Sequence, residues 1–149
     1  MGIKIIVKNN RAGYDFFLEE KYEAGVVLKG TEVKSLRDGK AILTEAFVTI
    51  DSKGEAWLHN LVIAHYTHGN INNHEEARKR KLLMHRDEID AINKRMAQKG
   101  LTLIPTALYF KESRVKCEIA LAKGKKLYDK RDAAAKKDQD RKLRQGNYE

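Results

Sequence analysis

Apolar and polar residues alternate along most of this chain, the pattern of strands with one buried face. Over residues 14–28, Tyr14, Phe16, Leu18, Tyr22, Ala24, Val26 and Leu28 share one parity. Glu20 is the exception, and Gly25 offers a bend or bulge in what reads as one long strand. Residues 41–50 and 55–63 read as a hairpin turned at residues 51–54. Residues 101–110 and 114–122 read as a second hairpin. Its later strand, from Arg114 to Leu121, has the cleanest in–out alternation in the chain. Pro105 predicts an edge or a bulge in the strand before it.

Two segments break the two-residue period. Residues 31–38 fit a short helix, with Thr31 as cap, Val33 and Leu36 inward, and Gly39 as its end. Residues 86–99 fit a longer helix with Ile89, Ile92 and Met96 on one face. Asp87, Glu88 and Asp90 stand at its start and Lys94, Arg95 and Lys99 near its end, which complements the helix dipole; Gly100 stops it. Residues 64–85 show no period and read as a loop with a short helical piece. The fold class is therefore mainly β: an OB-like antiparallel β-barrel of five or six strands with one short and one longer helix. Such barrels commonly bind oligonucleotides.

Charge changes the picture at one end. The chain has 149 residues, one domain's worth, with 30 Lys and Arg against 21 Asp and Glu, a net +9. Residues 123–149 hold ten of those cations and five acids, so +5 of the +9 lies in the last 27 residues. That stretch lacks Val, Ile, Phe, Trp and Met, and cannot bury enough to offset its ordering entropy. The organisation expected is a barrel over residues 1–122 and a basic tail over residues 123–149 that is disordered when free. A basic protein of this size meets nucleic acid or an anionic surface.

Other chemistry finds little footing. The single cysteine, Cys117, excludes a disulfide framework and a Cys-based zinc site, and points to a reducing, cytoplasmic setting. Its parity with Val115, Ile119 and Leu121 places it in the core. The longest uncharged apolar run, residues 101–110, is strand length, so no membrane span is expected. The apolar start at Ile3, Ile5, Ile6 and Val7 is interrupted by Lys4 and too short for a secretory signal. His59, His65, His68, His74 and His85 lack the fixed spacing of a metal site and read as solvated histidines able to touch RNA. No nucleophile motif or phosphate-cradling glycine loop is present, and no metal, cofactor or enzymatic activity is expected.

The basic clusters say more. Lys34 and Arg37 lie three apart on the short helix, away from Val33 and Leu36. Residues 78–81 are four consecutive cations, Arg78, Lys79, Arg80 and Lys81, before an apolar Leu82-Leu83-Met84. Such a run serves either as a solvated face or as a set of phosphate contacts. Tyr14, Tyr22, Tyr66, Tyr109 and Tyr128 are candidates to stack on bases, and Tyr128 has no core to join.

Several segments together resemble small protein B, the bacterial tmRNA-binding protein family. They are Tyr22 to Arg37 with its Glu-Val-Lys-Ser-Leu-Arg end, Gly39-Lys40-Ala41, Arg80 to Arg86, Gly100 to Pro105, and Leu121 to Arg131. The match runs from about Asn9 to Arg131. The resemblance implies a non-enzymatic protein that binds the tRNA-like domain of tmRNA and accompanies it to ribosomes stalled on truncated messages. It implies a ribosomal partner site in the decoding centre and the empty mRNA channel, where the tail folds as a helix. Elongation factor Tu on the same RNA is a further candidate partner. Mapped onto this chain, the family's tmRNA-binding positions fall at Asn9, Arg11, Glu23, Leu83 and His85. The basic clusters add Lys34, Arg37, Arg80 and Lys81. The ribosome-binding tail positions fall at Lys123, Gly124, Lys125, Lys126, Tyr128, Asp129, Lys130 and Arg131. The chain departs from the family at Gly13-Tyr14 and over residues 72–79, which lack the proline common there. Three rival readings are a generic single-strand-binding barrel, a structural ribosome-associated protein and, with least support, a small hydrolase.

Overall fold

The computed structural model describes residues 2–65 and 74–125. Among them lie nine strands and three helices: β1 (Ile3–Lys8), α1 (Ala12–Asp15), β2 (Phe16–Val26), α2 (Gly30–Arg37), β3 (Ala41–Ile42), β4 (Phe47–Ile50), β5 (Ala56–His59), β6 (Val62–Ile63), β7 (Arg80–Leu83), α3 (Arg86–Lys99), β8 (Thr102–Lys111) and β9 (Arg114–Gly124). The strands pair antiparallel in the order β4-β5-β7-β2-β9, and β9 pairs along the length of β8. β8 returns to β4 through Val48 opposite Leu103, so the sheet closes on itself as a barrel. β1 extends β8 beyond that contact, and β3 with β6 makes a separate two-stranded piece. The mainly β, OB-like barrel expected from the sequence is the fold observed.

The interior follows the predicted parity. Val115, Cys117, Ile119 and Leu121 of β9 point inward against Val48, Leu58, Leu82, Leu103 and Leu108. α3 buries Ile89 and Ile92 with Met96 packed alongside, and ends at Gly100 in the left-handed conformation, φ 61°. Pro105 sits at a register shift in β8, as its missing N–H requires.

Several elements differ from the sequence reading, each for a local reason. Residues 3–8 form a strand, with a register shift between Ile5 and Val7 that turns Val7 toward the core and leaves Ile5 outside. The long strand starts only at Phe16, because residues 12–15 make a helical turn that carries Tyr14. Its bulge lies between Leu18 and Lys21, not at Gly25, and Glu20, the parity exception, falls in it. The hairpin of residues 41–63 is broken into a central pair, β4 with β5, and a flanking pair, β3 with β6. α2 begins at Gly30, one residue early. Its cap is Lys29, whose backbone N–H donates to Glu32 at 2.8 Å, while the Thr31 hydroxyl meets His74 Nδ1 at 2.9 Å. The last strand runs through Lys123 and Gly124, opposite Phe17 and Phe16, two residues past the expected boundary at Ala122.

The largest surprise is β7, hidden in the supposed loop. Its inward positions are Arg80 and Leu82, so apolar alternation is lost where a cation faces in. Arg80 is 0% exposed. Its Nε donates to Glu32 at 2.6 Å, and its two terminal nitrogens donate to the carbonyls of Leu61 (2.6 Å), Arg78 (3.1 Å), Glu76 (3.1 Å) and Glu75 (3.4 Å). Glu32, also buried, accepts a second guanidinium from Arg78 at 2.6 Å. The pair therefore pins α2 to β7 and to two connecting segments. Burial is the largest single influence on Glu32 and opposes its ionisation. Hydrogen bonds from Arg78, the Lys29 backbone and Arg80, with the charge of Arg80, outweigh it and hold the pKa below the ordinary value.

A lowered folded-state pKa means that the clamp stabilises fully above the unfolded glutamate value of 4.5 and loses this contribution as pH falls below it. Chemical denaturation across acidic pH is expected to show that limb in the wild type and a flatter one in Glu32→Gln. Arg80→Ala, which strands a buried carboxylate, is expected to cost about 3–5 kcal/mol at neutral pH; a loss below ~1 kcal/mol would contradict the clamp.

Candidate nucleic-acid interface

The outer wall of β7, β2, β9 and β8 carries one row of opposed residues. Leu83 faces Gly25, Gly25 faces Lys116, and Lys116 faces Tyr109. Directly opposed residues of antiparallel strands share a face. Gly25 leaves a gap in that row, and a Cβ placed there would come within 3.4 Å of the Leu83 Cβ. Leu83 rises beside the gap, 56% exposed. The hollow there holds about 310 Å³ and is lined by Leu28, Val33, Val115, Arg114 and Lys116. A neighbouring hollow of about 460 Å³ shares Arg114 and Lys116 and adds Glu23, Lys111 and Glu112.

Glu23 is fixed within this groove. The Tyr109 hydroxyl donates to its carboxylate, and Lys111 Nζ lies 3.4 Å away. The Tyr109 hydrogen bond, followed by the charge of Lys111, holds the Glu23 pKa below the usual carboxylate value despite some burial. Burial and the same bond push the Tyr109 phenol well up, so it stays a donor. The result is an oriented acceptor for amino or hydroxyl groups, flanked by cations suited to phosphates and by an apolar ridge suited to a base.

The predicted residues divide into separate places. Glu23 and Leu83 share the groove. Lys81 has the outward parity of Leu83 and lies 3.8 Å from Glu55. His85 is exposed at the start of α3, its backbone N–H 3.3 Å from Glu88. Lys34 and Arg37 are exposed on α2, whose Val33 reaches the groove. Arg80 does not belong: it is buried in the Glu32 clamp and has no face toward a ligand. Asn9 and Arg11 stand elsewhere, on a cleft of about 580 Å³ that also takes in Phe47, Gly124 and Lys125. The Asn9 amide donates to Pro105 O at 3.1 Å and accepts from the Arg11 backbone at 3.3 Å, so it shapes the turn. Arg11 pairs with Asp15 at 3.4 Å and lies over the Tyr14 ring. Lys123 and Gly124 are strand residues, and Lys125 is anchored: its N–H donates to Asp15 O (2.9 Å) and its Nζ to Gly13 O (2.8 Å). Lys126, Tyr128, Asp129, Lys130 and Arg131 lie outside the described residues, as do Tyr66 and His68.

Sequence reasoning missed Gly25, Lys111, Arg114 and Lys116 as site residues, and it offered Tyr109 as a base-stacking ring, where the structure uses its hydroxyl to hold Glu23. The available signal was the outward parity of Arg114 and Lys116 in the cleanest strand of the chain. His74 is also corrected: it is buried, not solvated, and its Nε2 sits 2.8 Å from Ile63 O. No group of three or more His, Cys, Asp or Glu among the described residues could hold a metal ion. No helix among them is long and apolar enough to cross a membrane.

The family model described as SmpB protein matches residues 6–148. An SsrA-binding protein of Nocardioides sp. is 56% identical over 144 residues, 97% of this chain and 90% of that protein. One from Geobacter sulfurreducens is 54% identical over 145 residues, 97% of this chain and 94% of the relative. A solved structure described as "tmRNA-SmpB: a journey to the center of the bacterial ribosome" matches with a TM-score of 0.69 and 45% identity, over 86% of this chain and 93% of that one.

If Tyr109 is what holds the Glu23 carboxylate ionised, Tyr109→Phe raises the Glu23 pKa toward its ordinary value. Carboxyl-resolved NMR titration measures it, and an unmoved Glu23 midpoint would refute the assignment.

Proposed function

The chain belongs to the SmpB protein family, and from that premise we propose that it is a tmRNA-binding protein of trans-translation. Its barrel holds the tRNA-like domain of tmRNA and brings it to ribosomes stalled on truncated messages. Its tail occupies the decoding centre and the empty mRNA channel, which permits tagging of the stalled peptide. The observation that best supports this reading is the row Leu83–Gly25–Lys116 with Glu23 fixed beside it: apolar ridge, gap, cations and acceptor on one face.

That face recognises shape. Folded RNA offers unstacked bases at loops, which pack on an apolar ridge, and phosphates, whose counterions are displaced by Lys116, Arg114 and Lys111. No catalytic role is assigned to any side chain; the protein binds and positions. The tail would act as a sensor of channel occupancy. The segment from Asp132 to Ala135 and the charges around it have helix-forming composition, but an isolated helix of that length is marginal in water. The eight cations beyond Lys125, meeting a phosphate-lined channel, would offset the ordering cost, and mRNA in the channel would exclude them. Lys125, the last described residue, is fixed to the turn at residues 13–15 and lies on the same cleft as Arg11, which supports a tail that starts from that side of the barrel.

Equilibrium binding at physiological salt is expected to favour a tRNA-like-domain transcript over a hairpin of equal length; equal, weak binding to both would overturn the reading. A chain ended after Lys125 is expected to keep that affinity but lose tagging on stalled ribosomes, as is Lys130→Ala with Arg131→Ala. Normal tagging by the shortened chain would remove the tail from the mechanism.

A further inference from the structure

The outer surface of β4, β5 and β7 carries large rings that the core has not taken up. Phe47 faces His59, Thr49 faces Trp57, and Trp57 faces Lys81. The Phe47 and His59 rings stack, 4.8 Å between centroids and 9° from parallel, and Phe47 is still 39% exposed. Thr49 holds the His59 ring through a 2.7 Å hydrogen bond at Nε2. The Trp57 indole N–H donates to Asp51 at 3.0 Å, and the same carboxylate accepts the backbone N–H groups of Lys53 and Glu55. The indole plane is therefore tied to the hairpin turn. Lys79 places its ammonium 4.4 Å from the Trp57 ring centre.

Rigid aromatic faces interleaved with ammonium groups meet the two demands of an unpaired nucleic-acid strand. Bases stack on the rings whatever their sequence, and phosphates pair with the cations. Position strengthens the case. At one edge Lys81 shares its outward face with Leu83 and so joins the Glu23 groove. At the other edge Phe47 lines the cleft that holds Arg11 and Lys125. The ring-bearing surface bridges the two groups of expected RNA contacts that the fold sets apart.

We propose that the outer face of β4, β5 and β7, centred on Trp57, Phe47 and Lys79, is a stacking platform for unpaired RNA, continuous with the Glu23–Leu83 groove. Neighbouring strands lie about 4.8 Å apart, so this surface is wide enough for one or two nucleotides. An incoming base takes the place of Lys79 over the indole, and the flexible ammonium swings to the phosphate of that nucleotide. The platform extends the tmRNA-binding reading, and its test keeps the two apart.

Trp57 is the chain's single tryptophan, so its emission reports on this surface alone. The full chain is titrated with an unstructured oligoadenylate of about 12 nucleotides, within the usual site-size range, and separately with the tRNA-like-domain transcript. Anisotropy of the labelled RNA and Trp57 emission are followed together. Saturable quenching of Trp57 at the RNA concentrations that saturate anisotropy, with protection from iodide, is the expected result. Phe47→Ala and, independently, Lys79→Glu are expected to weaken oligonucleotide binding about tenfold with the melting temperature retained. Binding seen by anisotropy while Trp57 emission and iodide access stay unchanged would overturn the platform, even with tRNA-like-domain selectivity intact. Wild-type affinity in Lys79→Glu would overturn it equally. A Trp57 response to the oligonucleotide without preference for the tRNA-like domain would support the platform and sink the tmRNA reading.

Discussion

The buried ion pair of Glu32 with Arg80 is the constraint on which the rest of the structure leans. A fully buried guanidinium is tolerable only when its N–H groups find acceptors, and Arg80 finds a carboxylate and four carbonyls. Those acceptors come from α2, from the segment after β5 and from the approach to β7. Fixing them fixes the course of β7, and with it the outward aim of Lys81 and Leu83. The exposed half of the Glu23 groove thus inherits its geometry from charges buried out of reach of any ligand.

The same strand shows why part of the fold was legible in the sequence and part was not. Where inward positions are apolar, as in β9, parity alone located Cys117 in the core and Arg114 and Lys116 outside it. In β7 the inward position is an arginine, so the alternation vanished and a strand read as loop. Arg80 then passed for one of four surface cations, since a run of like charges carries no mark of which member turns inward. Glu32 and His74 were lost for the same reason: buried polar residues are recognised by their partners, and the partners lie 48 and 11 residues away. The Tyr109–Glu23 bond spans 86 residues and has no local signature. Family resemblance supplied Glu23 and Leu83 without explaining them. It also supplied Asn9, whose amide turns out to brace a turn.

Electrostatically the groove is a mixed site, not a uniformly positive one. A carboxylate kept ionised among cations lowers the attraction for phosphate in general but adds a directional acceptor. That trade favours discrimination over raw affinity, which suits a protein surrounded by competing RNA. Gly25 contributes by absence: a side chain at that point would stand in contact with Leu83 and fill the gap between ridge and cations.

The barrel's closure also bears on how the chain acquires its shape. β2 pairs with β9, so residues 16–26 wait for residues 114–124 before their edge is satisfied. Contacts of such long sequence separation bring a large loop-closure cost before any reward, and folds dominated by them form slowly, on the order of milliseconds to seconds. The β2, β9 and β8 walls of the groove belong to that late pairing. A partly synthesised chain therefore lacks the Glu23 groove, which appears only when the final hairpin swings in and completes the ring.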